Sequence, residues 1–572
     1  MRSGTGGARA GRARSGHVRA LALLVVVLVA FAGCTASDDD NNNNAEPTPD
    51  GNGGSGSELP MTYQEAVDRG VADDIEWGDG CDTERGRLKI PITNAAPCVE
   101  PWDEGADNGG ATAQGVTGDE IVVALYKGQP DPLQQAIIAG AGADTDPELV
   151  NQTAIDYIRM FEDIYETYGR KIRIETIEAT GGPADSTAAV ADAQKVIDLK
   201  PFAAIGGPAQ TPAYWQALVD AGILCVGGCS LAEPWDVVED AAPYLWPTGH
   251  TPEQADAHLV EMVGKQLAGK PVSFAGDEAL NGEDRVFGWV QAETEAGEYA
   301  ERVERATRQL ADEYGAQVAT TTSYIYDPAN ATQIATTTVQ RLKQAGVTTV
   351  ILSVDPLIPA DITKEATKQN YFPEWVLGPS VLMDTTIFGR RTDQQQWSHM
   401  IGISLGAARG KREIGDSYRV YEWYYGKEPP VNSQAVIIPG PAQLLLGIHL
   451  AGPNLTPETF RDGLFRYPPD RQGVTYGYVS WGEDLWGRPD YNSADDAAAL
   501  WWDPDAEGED ETGNQGKGML RYVNGGTRYL PGEWPKDPLP FFDKERSVAI
   551  YDERPDAPPD YPAWPGSPVA SG

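Results

Sequence analysis

The sequence predicts an α/β fold: two doubly wound parallel-sheet lobes joined by a three-segment hinge, with N- and C-terminal extensions. Short apolar runs typical of buried strands alternate with segments of helical periodicity, which indicates parallel sheets covered on both faces. The alternation pauses at 244–250 and restarts with a second series of similar size, which indicates two lobes. The chain has 572 residues, of which 41% are hydrophobic, enough for two cores.

The first part of lobe 1, residues 116–248, alternates strands with helices. Apolar residues recur at helical spacing in Asn151–Tyr168, whereas Lys171–Ala179 alternates as a strand does. The other predicted strands are Ile121–Tyr126, Phe202–Ile205 and Ile223–Val226, and the other predicted helices are Asp185–Leu199 and Pro212–Ala221.

Lobe 2 is predicted to span 249–402, with the same alternation. The predicted strands are Val272–Ala275, Val318–Tyr324, Thr349–Val354 and Trp375–Leu377, and His399–Leu405 is expected to be extended. The predicted helices are Pro252–Leu267, Ala331–Ala345 and Ala360–Gln369, with Arg285–Tyr314 as one helix or a pair of helices.

Three consecutive helices then follow without strands between them, at Ser417–Tyr425, Ala435–Ala451 and Pro457–Leu464. Helices in such a run usually cap a unit that is already built, so we expect 403–475 to return to lobe 1. Residues 476–556 are rich in Trp, Tyr, Gly and Pro and are expected to form a C-terminal extension across the lobes. Residues 557–572 are expected to be a disordered tail.

The N-terminus predicts export. Residues 1–33 carry five arginines and then thirteen apolar residues, Ala20–Ala32, which are too few to span a membrane comfortably. The ending Phe31-Ala32-Gly33-Cys34 resembles a bacterial lipoprotein lipobox, which implies lipidation of Cys34 and anchoring to the outer face of the cell membrane. The alternative is an ordinary signal cut near Ala32. Residues 34–60 are polar and rich in Gly and Pro, and predict a disordered tether.

The charge of the chain excludes some partners. Its formal net charge is −41, which repels phosphate backbones and argues against nucleic-acid binding and against binding anionic lipid by charge alone. Such a charge fits a soluble exported protein.

Four cysteines remain besides Cys34: Cys81, Cys98, Cys225 and Cys229. They allow three pairings, and proximity in sequence favours Cys81–Cys98 and Cys225–Cys229. The first pair predicts a disulfide-clipped N-terminal extension over 61–115. A zinc site is the weaker alternative, because the C-x3-C pair has no partner pair and the histidines do not cluster near it.

Seven segments follow one another along 116–464: VTGDEIVVALY, DLKPFAAIGGPAQTP, DAGILCVGG, AGDEALNGEDRVFG, TVQRLKQAGVTTVILSVDP, PEWVLGPS and LTPETFRDGLF. In this order they resemble type I periplasmic solute-binding proteins, the branched-chain amino-acid-binding branch. The resemblance implies a monomer that captures a small solute by hinge closure and delivers it to an ABC permease, without a cofactor.

The resemblance also implies where a solute binds. In lobe 1 it implies the turn after the third strand, with Gln210 and Thr211, and the turn after the fourth, with Ser230. In lobe 2 it implies Asn281, Asp355 and Ser380. Amino-acid binders usually place an acid at the position of Ser380, so Asp355 would have to supply that charge, and the solute is expected to be an amino acid or amide-like.

Three of these residues also have a purely structural interpretation. Thr211 precedes Pro212 and suits a helix N-cap, Asn281 precedes a glycine and suits a turn, and Asp355 precedes a proline at a loop start.

Other chemistry finds little support. The nucleophile-elbow, zinc-protease and P-loop motifs are absent from the sequence, which argues against an enzyme. Asp503–Gly508 begins like a calcium loop, but its twelfth position is Asn514 rather than Glu. No metal site is therefore predicted. A ligand-sensing receptor subunit that signals through a membrane partner remains the alternative function, because the same fold serves both roles.

Overall fold

The computed structural model describes residues 59–103, 105–129, 146–230, 232–293, 298–379, 382–469 and 473–570. The predicted signal peptide, Cys34 and nearly all of the tether lie outside the described residues, as does Ser380.

The described chain starts with a small clip, residues 59–115. Its helix α1 (Tyr63–Arg69) begins at a capping box, in which Thr62 accepts from the Glu65 N–H and the Glu65 carboxylate accepts from the Thr62 N–H. The helix ends at Gly70, which has a φ of 70°.

The rest of the clip is held by a short hairpin and a disulfide. The antiparallel strands are β1 (Cys81–Asp82) and β2 (Arg87–Leu88). The Cys81–Cys98 disulfide is present, so the predicted pairing is confirmed.

Lobe 1 contains a five-stranded sheet that is parallel throughout, in the order β4-β3-β5-β6-β7. Its elements are β3 (Glu120–Lys127), α2 (Pro147–Ile164), β4 (Lys171–Glu178), α3 (Ser186–Leu199), β5 (Ala203–Ile205), α4 (Ala213–Asp220), β6 (Leu224–Val226), α5 (Trp235–Asp240) and β7 (Leu245–Trp246). The central strands β5 and β6 are buried at every residue, as strands covered on both faces must be.

Lobe 2 repeats this strand order with five parallel strands, β9-β8-β10-β11-β12. Its elements are α6 (Pro252–Gln266), β8 (Phe287–Ala292), α7 (Glu298–Tyr314), β9 (Val318–Tyr324), α8 (Ala331–Gln344), β10 (Thr349–Ser353), α9 (Ile358–Lys368), β11 (Glu374–Leu377), α10 (Thr386–Gly389), α11 (Gln394–Trp397) and β12 (Met400–Ser404).

The chain then returns to lobe 1 through α12 (Asp416–Tyr425), α13 (Gln434–Ile437), α14 (Pro439–Ala451) and α15 (Pro457–Phe465). Within the described chain, one helical segment, Gln434–Ala451, is long and apolar enough to cross a membrane, with a mean hydropathy of 1.3. Because 67% of it is buried and its leucines pack in the core of lobe 1, it is a core helix of this lobe.

The last strands extend the sheet of lobe 2. They are β13 (Ala497–Glu509), β14 (Gln515–Val523), β15 (Arg528–Tyr529) and β16 (Ser547–Val548), all antiparallel. Strand β13 pairs with β12, so residues of the C-terminal extension complete the second lobe's sheet.

Three crossings connect the lobes: residues 247–251, 405–415 and 466–496. The third is bonded to the first, because Asn492 and Ser493 donate side-chain hydrogen bonds to the carbonyls of Gly249 and Thr248. Arg528 joins the second crossing to the third. Its guanidinium donates to the carbonyls of Leu405 and Gly406 in the second crossing and pairs with Asp496 of the third at 2.6 Å.

A fourth connection, the strap (residues 551–570), runs from lobe 2 back over lobe 1. Arg554 pairs with Asp416 of α12, and the Trp423 ring N–H donates to the Tyr561 carbonyl at 3.0 Å. The prediction of a disordered tail at 557–572 is therefore wrong for 557–570, because aromatic side chains anchor this segment to lobe 1.

Two further element predictions are wrong. Residues 272–275 form no strand but a loop, in which Val272 exchanges main-chain hydrogen bonds with Gly282 and Glu283. Phe287–Ala292, predicted as helix, is instead strand β8. Short buried apolar runs do not distinguish these states by periodicity alone.

Candidate ligand-binding cleft

The carboxyl edges of both sheets lie at the hinge. Strands β7 and β12 lead from their carboxyl ends into the first and second crossings. The third crossing enters β13 at the same edge, because Ala498 pairs with Ser404 at the end of β12. Parallel sheets bind ligands outside their carboxyl ends, so the candidate cleft lies here.

The turn after β5 is built around two glycines. Gly206 has a φ of 74°, which favours glycine. A Cβ on Gly207 would lie 2.8 Å from the Tyr214 ring, so the backbone approaches that ring directly. The Tyr214 hydroxyl is buried and has no hydrogen-bond partner, which makes it a polar group available beside this turn.

The two predicted residues of this turn differ in their surroundings. Thr211 is buried and shares a 2.9 Å hydrogen bond with the Ser186 hydroxyl of α3. Gln210 is exposed, and only its main-chain N–H is engaged, by the Pro183 carbonyl at 3.2 Å. Gln210 is therefore the freer side chain of the two.

Ser230 follows β6 and is 5% exposed, and its hydroxyl has no hydrogen-bond partner. The predicted Cys225–Cys229 disulfide is confirmed and closes the turn immediately before it. Burying a hydroxyl without a hydrogen-bond partner costs free energy. A ligand that hydrogen-bonds to the Ser230 hydroxyl would remove this cost.

Asp192 of α3 organises the ends of β3 and β4, and sequence reasoning missed it. Its carboxylate accepts from the Tyr126 hydroxyl at 3.0 Å, from the Thr180 N–H and hydroxyl, and from Lys195 at 2.8 Å. Burial acts to raise the pKa of this carboxyl, but the hydrogen bonds from Lys195, Thr180 and Tyr126 outweigh it and hold the pKa below its usual value. Asp192 therefore stays charged and fixes Tyr126 and Thr180 at the carboxyl edge.

In lobe 2, Asp355 follows β10, and both of its carboxylate oxygens are occupied. One accepts from the Leu357 and Ile358 N–H groups at the start of α9, and the other accepts from the Tyr324 hydroxyl at 2.6 Å. Burial, and then the charge of Asp355, raise the pKa of Tyr324 far above its usual value. These contacts fit the structural interpretation of Asp355 better than that of a free partner for an ammonium group.

The structure separates Asn281 from the other candidates. It lies in the loop before β8, near the amino ends of the strands, and its side-chain amide bonds both the N–H and the carbonyl of Ala275. Asn281 does not lie at the carboxyl edge, because the segment predicted as a strand before it, Val272–Ala275, is a loop.

Gln291, at the carboxyl end of β8, occupies that edge instead. It is 3% exposed, and its side-chain oxygen has no hydrogen-bond partner. The apolar run from Val286 to Val290 was the available signal, but the segment was assigned to a helix.

A cavity of about 190 Å³ lies beside the second and third crossings. Its lining residues are Gly473, Val474, Tyr476, Tyr478, Asp496, Thr527 and Arg528. Within the described residues, no group of three or more His, Cys, Asp or Glu side chains could hold a metal ion. Asp503 of the calcium-like run lies on β13 and pairs with Arg521 and Lys544.

Comparison with solved structures identifies the fold. A leucine-, isoleucine-, valine-, threonine- and alanine-binding protein from Brucella ovis in its closed conformation aligns with a TM-score of 0.51 and 14% identity over 76% of this chain and 100% of its own. A periplasmic binding protein from Burkholderia mallei aligns with a TM-score of 0.50 and 11% identity over 75% of this chain and 98% of its own. The chain has the type I periplasmic binding-protein fold. This confirms the fold that the sequence predicted. No protein-family model and no curated protein sequence matches the chain.

Proposed function

We propose that this chain is an extracytoplasmic solute-binding protein of an ABC importer, anchored by a lipid on Cys34, which binds a small polar solute between its lobes by hinge closure. The observation that carries the proposal is the pair of parallel sheets whose carboxyl edges meet three crossings. The proposed mechanism has no covalent step.

Neutral polar groups support an amide-like solute. The Ser230 hydroxyl, the Tyr214 hydroxyl and the Gln291 side-chain oxygen are buried without partners, two in lobe 1 and one in lobe 2. Asp355 already has partners for both oxygens. An amide offers both donors and acceptors to such groups, whereas an α-amino acid also needs an anion for its ammonium group.

The test is a thermal-shift screen of residues 58–572 against amino acids, amides, small acids, polyamines and sugars. A solute at about 100 times its Kd is expected to add about 2.7 kcal/mol of stability. The proposal is contradicted if no compound in these classes raises the melting temperature.

The compound that raises the melting temperature most is then used to test the site, with its affinity measured by calorimetry. Ser230→Ala and Gln291→Ala are each expected to weaken binding about three- to tenfold, the value of one neutral hydrogen bond. Asn281→Ala is the matched control, because its side chain lies at the other edge of the sheet, and it should leave the affinity unchanged. Equal losses in all three variants would argue against the assigned cleft.

A further inference from the structure

The third crossing carries two buried acids that solute binding does not use. Asp490 is 2% exposed and Asp495 is fully buried, and the two carboxyl groups interact directly with each other. Their other side-chain partners are neutral donors: the Gln254 amide (2.8 Å), the Asn492 N–H (2.9 Å), the Ser480 hydroxyl (2.6 Å) and the Trp486 ring N–H (2.8 Å).

This pair lies where the crossing passes from one lobe to the other. Arg488 pairs with Asp236 of α5 at 2.7 Å, and the Pro489 carbonyl accepts from the Trp235 ring N–H at 2.8 Å, so both residues are attached to lobe 1. The next residue, Asp490, is bonded to Gln254 in the first turn of α6, which belongs to lobe 2. Movement of the lobes at this crossing therefore acts on the acid pair.

No free positive charge faces the pair among the described residues. Burial lowers the pKa of both His250 and His258, whose rings lie 5.8 Å apart, so both are neutral near pH 7. The Arg528 guanidinium is held by Asp496 and by main-chain carbonyls.

The remaining charged groups nearby are occupied elsewhere. Glu261, which faces His258, accepts from Lys265 and from the main chain at 532 and 534. Arg488 pairs with Glu239 as well as with Asp236. Two adjacent buried carboxyls without a counter-ion do not both ionise. Burial raises the pKa of Asp495 to about 6, and burial together with the charge of Asp495 raises the pKa of Asp490 well above its usual value.

We propose that the hinge contains a proton-linked latch: Asp490 and Asp495 of the third crossing share a proton while Asp490 is buried and bonded to Gln254 of lobe 2, and opening of the crossing exposes the pair and releases the proton. A carboxyl whose pKa is higher in the closed hinge than in the open hinge stabilises the closed state. This stabilisation is fully present below the ordinary pKa of 3.8. This stabilisation is lost progressively as the pH rises towards the raised value, because the open state gives up its proton first. The latch therefore weakens with rising pH.

The test is amide hydrogen exchange of the ligand-free chain between about pH 5 and pH 7, expressed as protection factors so that the intrinsic pH dependence cancels. In the wild type, protection of 247–255 and 486–496 is expected to fall as the pH rises, by up to tenfold per pH unit, the limiting slope for one released proton. Asp490→Asn keeps a neutral donor beside Asp495 and should make this dependence flat. Asp384→Asn is the matched control: burial also raises its pKa, but it bonds Ser404, so the slope should persist.

A flat wild-type profile, or an unchanged slope in Asp490→Asn, overturns the proposal. If Asp490→Asn does not fold, Asp495→Asn takes its place. No solute is used, so a failure here is distinguishable from a failure of the proposed function.

Discussion

Asp192 shows how one buried carboxylate can fix a binding edge at the scale of a single residue. Its three partners come from β3, from the turn after β4 and from its own helix, so its loss affects three elements together. Hydrogen bonds to charged groups contribute about 1.5–3 kcal/mol each, more than neutral ones do.

We predict that Asp192→Asn lowers the free energy of unfolding by about 2 kcal/mol, measured by urea denaturation. The asparagine keeps the shape of the side chain but loses the negative charge that faces Lys195. Its amide NH₂ group would also face groups that donate hydrogen bonds to Asp192. Asp198→Asn is the control on the same helix, because Asp198 is exposed, and its effect should stay within about 0.5 kcal/mol. Equal losses in the two variants would contradict the prediction.

Residue-level prediction from the sequence was uneven for a physical reason. Ser230 and Asp355 are candidates because the resemblance to the family implies solute contacts in the loops that contain them. The contacts of Asp355 with Tyr324 and with α9 are long-range or depend on a turn, so its occupied state is not visible in the sequence. Gln291 was missed because the strand before it was assigned to a helix.

At the scale of elements, the clip depends on its disulfide. Helix α1 has seven residues and the β1–β2 hairpin has two residues in each strand, too little structure to be stable alone. Its Cys81 and Cys98 are 17 positions apart, and closing a loop of this size stabilises by about 3 kcal/mol in the chain-entropy model.

We predict that the double variant Cys81→Ser/Cys98→Ser lowers hydrogen-exchange protection of 59–103 by about a hundredfold, corresponding to ~3 kcal/mol. Protection of β3 to β7 should change little. The pair Cys225→Ser/Cys229→Ser is the control, because its bond closes a loop inside lobe 1 and it should leave the clip protected. Loss of clip protection in the control would show that the clip does not depend on its own disulfide.

The strands of both lobes were predictable where they are buried on both faces. Thr349–Ser353 is buried at every residue, and its first four residues are β-branched or apolar. Residues 272–275 have a similar composition but are packed as a loop against Glu283, a tertiary arrangement that local sequence does not encode. Strands β13 to β16 were not predicted, because composition alone does not show that β13 pairs with the distant strand β12.

At the scale of the whole molecule, the strap adds a link that the three-crossing hinge does not require. Its contacts with lobe 1 include the Arg554–Asp416 pair and the Trp564 ring N–H, which donates to the Asp163 carbonyl at 3.2 Å. The sequence suggested disorder here because the segment is rich in Pro and Gly, whereas its order comes from a few aromatic anchors.

We predict that removal of 553–572 allows the lobes to separate more widely, since one of four connections is lost. Spin labels placed on Asp198 and Glu304, exposed residues of the two lobes, should give a broader distance distribution by pulsed electron resonance. Removal of 571–572 alone is the control and should leave the distribution unchanged. An unchanged distribution in the longer deletion would show that the strap does not restrain the lobes.

The strap also determines the order in which the native structure can be completed. The Tyr561 hydroxyl donates to Asp82 at 2.7 Å, and the Trp564 ring lies against Gly80, so the clip packs on residues more than 470 positions later in the chain. During synthesis the clip emerges before either lobe, while these partners emerge near the end. The part of its surface that they cover must therefore stay uncovered until almost the entire chain is available, so an early segment is among the last to reach its final packing.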